Sequence, residues 1–202
     1  MGYNILSYAV DYAKLKSAIG SEDHSLYHDI KNNPSFIGCT GQNYPGLSKT
    51  KEALKQLIFG LPKEKDIVSS AYLYALIGLV NQTGKKLPGT HEIQLDYETD
   101  LINKYLKDDF KVDVHIADEL LNDAVQLGLP LSGDKPYSGL LSKSQLLVLQ
   151  AKFEGIHISE EELEELLQCE TEKEMVYDSI HQIKDNVNFC LSESMSMISF
   201  CH

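Results

Sequence analysis

The stretches that decide the fold are YNILSYAV at residues 3–10 and SMSMISFCH at residues 194–202. The first is a short, unbroken run of aromatic and branched residues, which is typical of a β-strand rather than of an amphipathic helix. The second alternates polar and apolar side chains from Ser194 to Met197 and therefore predicts another strand. Because an isolated strand leaves its backbone groups without partners, we expect the two terminal strands to pair.

The chain between these strands is predicted to be mostly helical, from apolar residues at helical spacing, capping residues and terminating glycines. The predicted helices are 11–19, one from Ser21, 49–59, 66–83, one after Asp96, 116–127, 142–153, one from Ser159 and one from Thr171. Residues 33–48 and 128–141 hold prolines and glycines and are predicted to be loops. The sequence predicts an α+β fold, in which a predominantly helical single domain over residues 1–202 carries a small antiparallel sheet formed by the N- and C-terminal strands. The loop 128–141 is the candidate boundary of a subdomain.

Negative charge is concentrated in the second half of the chain. The sequence holds 18 Lys and no Arg against 30 Asp plus Glu, which gives a formal net charge of −12. Residues 1–101 carry 10 Lys and 11 acidic residues, whereas residues 102–202 carry 8 Lys and 19 acidic residues. Guanidinium groups supply bidentate recognition of phosphates and bases, so we expect no direct binding of nucleic acid by an acidic chain without Arg.

The acidic segment, which we define as residues 160–174 (EEELEELLQCETEKE), contains eight Glu and one Lys. One interpretation is a solvated helix face, with leucines directed inward and carboxylates directed to water. The other is a docking surface for a basic protein, because so dense a charge accelerates encounter with a cationic partner and could imitate a row of phosphates. Loop tyrosines are favoured anchors in such interfaces. The residues selected for partner binding are Glu160, Glu161, Glu164, Glu165 and the loop residue Tyr137.

Three residues offer the alternative of an enzyme with an unrecognised active site. His24 and His28 stand four residues apart and could share a metal ion, but a catalytic zinc site needs a third ligand. Cys39 lies in a glycine-rich turn, but no neighbouring His supports activation of its thiol. Surface histidines and an ordinary thiol are the simpler interpretations, so we assign no catalytic residue, no metal ligand and no cofactor.

Cysteine usage and the start of the chain bear on the compartment. The four cysteines form no C-x-x-C pair, and the first residues lack the basic and then apolar pattern of a secretion signal. Free thiols are favoured over disulfides, and we expect a cytoplasmic protein. No stretch approaches the apolar length of a membrane span, so we expect no association with a membrane.

Four stretches carry a resemblance to a known family. They are MGYNILSYAVD (1–11), IGSEDHSL (19–26), LKQLIFG (54–60) leading to AYLYALIGL (71–79), and GLPLSGDKPYSGLLS (128–142). Through them, most of the chain is similar to an uncharacterised bacterial family of cytoplasmic proteins. The resemblance implies a single domain with paired terminal elements and brings no catalytic residues. Small acidic proteins of this kind also resemble, by analogy and not by sequence, the immunity partners of bacterial secreted toxins.

The regional charge, the missing catalytic constellation and the loop aromatics together predict a non-catalytic protein-binding module. Its most specific form is an immunity or antitoxin-like inhibitor that binds and blocks a secreted bacterial toxin, so the expected partner is a basic protein. The alternatives are the enzyme with an unrecognised site and a regulatory or scaffold protein unrelated to toxins.

Overall fold

The computed structural model describes most of the chain and divides it into two compact units. The described residues are 3–39, 46–63, 67, 69–87, 93–122, 125, 127, 129, 138–159, 161 and 171–201. Unit 1 comprises Met1–Ala9, Lys86–Val125 and Ser138–His202, and unit 2 comprises Val10–Lys85 and Gln126–Tyr137. Compact units are not by themselves independently folding domains, so the single domain stays a prediction.

The described part of unit 2 is helical. Its helices are α1 (Tyr12–Ala18), α2 (His24–Lys31), α3 (Pro34–Cys39), α4 (Leu47–Phe59) and α5 (Ser69–Thr83). Helix α5 packs against each of the other four. All of its residues from Ala71 to Val80 are buried except the half-buried Tyr74. The prediction of a helix buried on nearly every side at this position is confirmed.

Capping aspartates begin the first two helices. The carboxylate of Asp11 accepts a hydrogen bond from the Lys14 backbone N–H at 3.1 Å, and that of Asp23 accepts one from Leu26 at 2.9 Å. Each bond satisfies a donor that the first helical turn leaves free. The predicted cap at Asp11 is confirmed. The predicted start of α2 at Ser21 is three residues early, because the Ser21 hydroxyl instead accepts from the Asp23 N–H.

The prediction of a loop over residues 33–48 is wrong for Pro34–Cys39, which form α3, and for residues 47–48, which begin α4. Proline is tolerated at the first helical position, and the Asn33 side chain accepts a hydrogen bond from the Ser35 N–H at 2.9 Å. The Phe36 ring is buried and packs so closely on α5 that a Cβ at Gly78 would lie 2.5 Å from it. A distant contact therefore stabilises a helix too short to show apolar periodicity.

Unit 1 contains the sheet and the remaining described helices. Val10 and Lys85, at the ends of two strands, belong to unit 2. The strands are β1 (Asn4–Val10), β2 (Lys85–Lys86), β3 (Ile93–Gln94), β4 (Ser138–Leu141) and β5 (Ser196–Cys201). The helices are α6 (Tyr97–Asp108), α7 (Ile116–Leu120), α8 (Lys143–Phe153) and α9 (Thr171–Ser192).

The terminal strands are neighbours in the sheet. The strand order is β2-β1-β5-β4, with β3 also paired to β1. Strand β1 runs antiparallel to β3, and β4 runs antiparallel to β5 with Leu140 opposite Ile198. The hydroxyls of Ser7 and Ser199 lie 2.8 Å apart between β1 and β5. The predicted α+β class, with a small antiparallel sheet that includes both terminal strands, is confirmed.

The prediction of a loop over residues 128–141 is wrong for its last four residues, which form β4. Pairing with β5 along all four residues and one side chain on the other edge explain the difference. The Asn122 amide donates to the Leu140 carbonyl at 3.1 Å and accepts from the Leu140 N–H at 3.0 Å. Asn122 thus satisfies the backbone of β4 as a neighbouring strand would, although the two residues are 18 positions apart.

The predicted helix 116–127 ends earlier than expected, since α7 stops at Leu120. Beyond it the chain leaves the helix and places Asn122 beside β4. Gly139 permits this close approach, because a Cβ at that position would collide with the backbone carbonyl of Leu120. The absence of a side chain at Gly139 is therefore a packing requirement.

Helices α8 and α9 pack against each other and against β5. The capping box predicted at Ser142 and Gln145 begins α8. The predicted inward row of α9 is buried, and its members are Val176, Ile180, Ile183, Val187 and Cys190. In the part of the chain that the structure describes, no helix has the length and apolarity to cross a membrane.

Candidate functional site

Within the acidic segment, the structure describes Glu161 and residues 171–174. Of the residues selected for partner binding, Glu161 is described and is exposed. The other four lie outside the described residues, namely Glu160, Glu164, Glu165 and Tyr137. The segment ends in α9, whose first turn carries Glu172 and Glu174.

A cleft of about 440 Å³ lies where the chain enters the acidic segment, and we call it the Ile156 cleft. It is lined by Ile156, His157, Ile158, Ser159, His181, Lys184 and Asp185. Because His181 follows Thr171 by ten residues of helix, the cleft lies about 15 Å from the start of α9 along its axis. The chain therefore enters the acidic segment beside this cleft, and the start of α9 lies about 15 Å from it.

The polar side chains of the Ile156 cleft include a lysine, a histidine and an aspartate. The Lys184 ammonium donates to the Ile156 carbonyl at 2.5 Å and is thereby held in place. The His181 Nε2 atom lies 3.2 Å from a carboxylate oxygen of Asp185, and both side chains are exposed. The described cleft thus presents a carboxylate and an imidazole to solvent.

The one lysine of the acidic segment is paired outside the segment. The Lys173 ammonium lies 3.9 Å from Asp109 Oδ2 and 5.2 Å from the centre of the Tyr177 ring. The Tyr177 hydroxyl donates to the same Asp109 oxygen at 2.7 Å. The positive charge is directed to a carboxylate of α6's C-terminal end, so it is not placed among the glutamates.

The two histidines of the enzyme alternative have different neighbours in the described structure. The His24 ring centre lies 4.8 Å from that of Phe59. The His28 ring instead lies 3.1 Å from the side-chain nitrogen of Asn32. The side chain of Cys39 lies outside the described atoms. Among the described residues, no group of three or more His, Cys, Asp or Glu could hold a metal ion.

Two of the four cysteines, Cys190 and Cys201, are described as thiols outside any disulfide, and both are buried. Burial raises the pKa of the Cys190 thiol from its ordinary value of 9.0 to about 12. A thiol that stays protonated at neutral pH is a poor nucleophile and a poor metal ligand. The expectation of free thiols is confirmed for these two residues.

Sequence reasoning missed an apolar surface on α8. Leu147 and Val148 are 50% and 58% exposed. Leu147 borders a groove of about 400 Å³ between α8 and α9, which we call the α8–α9 groove. The signal was present in the run LLVL at residues 146–149, because four consecutive apolar residues cannot all lie on one face of a helix.

Comparison with known families places this chain in a family of unknown function. No curated protein and no solved structure matches it. The family model described as "Domain of unknown function (DUF7691)" matches residues 1–202 and so covers the elements of both units. The resemblance to an uncharacterised family is thereby confirmed, and the chain belongs to the DUF7691 family.

Proposed function

We propose that this protein is a non-catalytic binding module that captures a basic protein through its acidic segment, and that the partner is a secreted bacterial toxin which it inhibits. The observation that carries the proposal is the distribution of charge. Residues 160–174 hold eight Glu and one Lys within a chain of net charge −12. A concentrated field of one sign attracts a partner of the opposite sign and speeds their association.

The described surroundings of the segment support this role. Glu161 and Glu172 are exposed, and Asp185 adds a carboxylate at the rim of the Ile156 cleft. Since Lys173 is paired with Asp109, it contributes little neutralisation to the glutamates. An approaching cationic surface meets carboxylates at both ends of the 15 Å between the cleft and the start of α9.

A solvated helix face is the competing interpretation, and the helix macrodipole favours Glu172 and Glu174 in the first turn of α9 without any partner. The predicted helix after Ser159 is different. There Glu160 and Glu164, like Glu161 and Glu165, stand four residues apart and repel each other. A binding role offsets this cost, because a cationic partner relieves the repulsion.

Inhibition follows from what such a surface would cover. A toxin that acts on a phosphate-bearing substrate needs a cationic surface of its own, and a row of carboxylates can occupy it. A standard interface takes about 800 Å² from each partner. The chain exposes 10826 Å², so the acidic segment and its surroundings have ample area for such contact.

The test first searches for a gene of a secreted toxin beside the gene for this chain and then uses that toxin. Co-expression of the chain should restore the growth of cells that carry the toxin domain in their cytoplasm. Replacing Glu160, Glu161, Glu164 and Glu165 with Lys should abolish the rescue, slow association at low salt by at least tenfold and flatten its dependence on salt. Stopped-flow fluorescence with the purified pair measures the association rate at each salt concentration.

A control variant separates the place of the charge from its amount. Replacing the exposed residues Asp29, Asp108, Asp113 and Asp118 with Lys changes the net charge equally, and this variant should still rescue growth. Equal loss in the two variants would contradict a role for the acidic segment. The lack of any adjacent toxin gene, or a failure to rescue, would contradict the inhibitor function. Stoichiometric zinc in the purified protein would favour the enzyme alternative instead.

A further inference from the structure

The α8–α9 groove lies between two antiparallel helices. The Gln150 amide of α8 donates to the Asn188 side-chain carbonyl of α9 at 2.8 Å. The Lys184 ammonium, one turn earlier in α9, donates to the carbonyl of Ile156, which follows the end of α8. Glu154 comes one turn after Gln150, so Glu154 and Lys184 occupy facing positions, and both line the groove.

The groove holds two opposite charges that are not paired with each other. Glu154 is exposed, and Lys184 is half-buried. In the part of the chain that the structure describes, neither side chain forms an ion pair. The bond to the Ile156 carbonyl instead holds the Lys184 ammonium on its own side of the groove. A partly buried charge without a partner gains from a ligand group of opposite sign.

Apolar side chains lie beside the two charges. Leu147 and Ala151 stand four residues apart on the groove side of α8 and are both exposed. Phe153 and Val187, which also line the groove, are each 1% exposed. An apolar group bound here would therefore cover mainly Leu147, whose side chain is otherwise half exposed to water.

The walls of the groove are fixed before anything binds. The hydrogen bond between Gln150 and Asn188 joins the two helices across it. A preformed site takes up a ligand without a large entropic cost of ordering. The volume of about 400 Å³ and the mixture of apolar walls with a few polar groups are typical of a small-molecule site.

The two charges select the class of ligand. A purely anionic ligand on Lys184 would be repelled by Glu154, and a purely cationic ligand on Glu154 would be repelled by Lys184. An uncharged apolar ligand would leave both charges without partners. A zwitterion that carries an apolar group satisfies all three parts of the groove. Because such a ligand has no net charge, the net charge of −12 on the chain does not repel it.

We propose that the α8–α9 groove binds a free α-amino acid with a large aliphatic side chain. The ligand carboxylate accepts hydrogen bonds from the Lys184 ammonium, the ligand ammonium donates to the Glu154 carboxylate, and the ligand side chain packs against Leu147. This inference goes beyond the proposed function, because it requires neither a partner protein nor the acidic segment.

The first test is isothermal titration calorimetry of the full chain with leucine and its analogues, at an ionic strength of about 0.15 M that screens long-range charge. Leucine should bind with a dissociation constant of about 1 mM, which is ordinary for so small a ligand. Three analogues should each bind at least tenfold more weakly. They are N-acetyl-leucine, which lacks the ammonium, leucine amide, which lacks the carboxylate, and glycine, which lacks the side chain.

The second test assigns the ligand groups to side chains. Glu154→Gln should weaken the binding of leucine at least tenfold but not that of N-acetyl-leucine, which has no ammonium to lose its partner. The matched control is Glu172→Gln, because Glu172 is also exposed but does not line the groove. Leu147→Ser should weaken leucine binding, whereas Leu61→Ser, at a 41% exposed position of unit 2, should not.

Lys184 needs a check on folding, because its ammonium also holds the Ile156 carbonyl. Lys184→Gln should weaken the binding of leucine but not that of leucine amide, and urea unfolding should show that the variant is folded. If it does not fold, Glu154→Gln and Leu147→Ser still decide the question, since both side chains are exposed.

Four results would overturn the proposal. Leucine could fail to bind. N-acetyl-leucine amide, which has no charge, could bind as tightly as leucine, and the occupant would then be a peptide segment or another apolar group. Glu154→Gln could weaken both leucine and N-acetyl-leucine equally. The control variants could lose as much affinity as the groove variants. None of these results bears on the rescue of growth by which the proposed function is tested.

Discussion

Helices α5 and α8 both contain a run of apolar residues, but the two runs are buried to different extents. Neighbours α1 to α4 cover α5, and the described side chains of its centre are withdrawn from water almost completely. Helix α8 packs against α9, β4 and β5. Its residues Leu147 and Val148 nevertheless remain at least half exposed.

The difference shows that the same apolar pattern can have two physical consequences. Burial of apolar area stabilises a fold by about 25 cal/mol per Å². Leu76 of α5 is fully buried and contributes that energy to folding, whereas Leu147 leaves about half of its area in water. The apolar area that α8 leaves exposed in the fold is available to a partner. A helix whose pattern exceeds what its own fold covers is therefore a candidate docking site.

The first prediction compares equal truncations on the two helices. Leu76→Ala should lower the free energy of unfolding by about 3 kcal/mol, because it leaves a cavity in a close-packed centre. Leu147→Ala should change it by less than about 0.5 kcal/mol, because an exposed side chain leaves no cavity. Urea unfolding followed by circular dichroism measures both. A cost at Leu147 as large as that at Leu76 would mean that α8 is covered in solution, and the comparison would fail.

The sequence predicts those parts of the fold whose cause is local. Strand β1 follows from branched and aromatic residues, and α5 follows from an apolar run longer than a strand. Helix α3 and strand β4 were missed because distant partners stabilise them. Phe36 is held against Gly78, and the backbone of Leu140 is held by Asn122. Neither pairing leaves a mark in the neighbouring residues.

The candidate site also has one part that the sequence predicts and one part that it does not. The acidic segment is visible in the sequence, because net charge over fifteen residues does not depend on how they fold. The α8–α9 groove is not visible, because it depends on which faces of two separate helices meet. Gln150 and Asn188 become neighbours only after the chain has packed. Charge could therefore be predicted from the sequence, and shape could not.

The second prediction tests whether water is excluded from the buried side of α9, in contrast to the exposed residues of α8. Cys190 of α9 is fully buried, and burial raises the pKa of its thiol to about 12. The unfolded chain ionises this thiol near pH 9, so the folded state binds more protons above that pH. The stabilising contribution is complete below pH 9 and is lost as the pH rises towards 12.

At pH 10 this loss amounts to about 1.4 kcal/mol, from 1.36 kcal/mol for each pKa unit. The measurement is the change in urea unfolding free energy between pH 7.5 and pH 10, in the native protein and in Cys190→Ala. Other groups titrate in both proteins, so the difference between the two changes isolates the thiol. Equal changes would mean that water reaches Cys190. The buried side of α9 would then be as accessible to water as the exposed residues of α8.

The third prediction enlarges one glycine on α5 and one at the end of α8. A Cβ at Gly78 would lie 2.5 Å and 2.8 Å from the buried Phe36 ring and 3.2 Å from Ile30. Overpacking of this kind costs about 1–3 kcal/mol, and better helix propensity returns about 1 kcal/mol. Gly78→Ala should therefore destabilise by about 1 kcal/mol. Gly155 has nothing within 4 Å of such a Cβ, so Gly155→Ala should be neutral or stabilise by about 0.5 kcal/mol.

The two substitutions should change the free energy of unfolding in opposite directions, which makes this a sensitive test of the comparison. The same methyl group is added at each position, so the difference in unfolding free energy reports the space around each glycine. If Gly78→Ala also stabilised the protein, the Phe36 ring would have room to move and α5 would be less tightly covered than its burial indicates. Because α3 is held by that ring, loosening it should also expose α3 first, and faster amide hydrogen exchange in Pro34–Cys39 would reveal it.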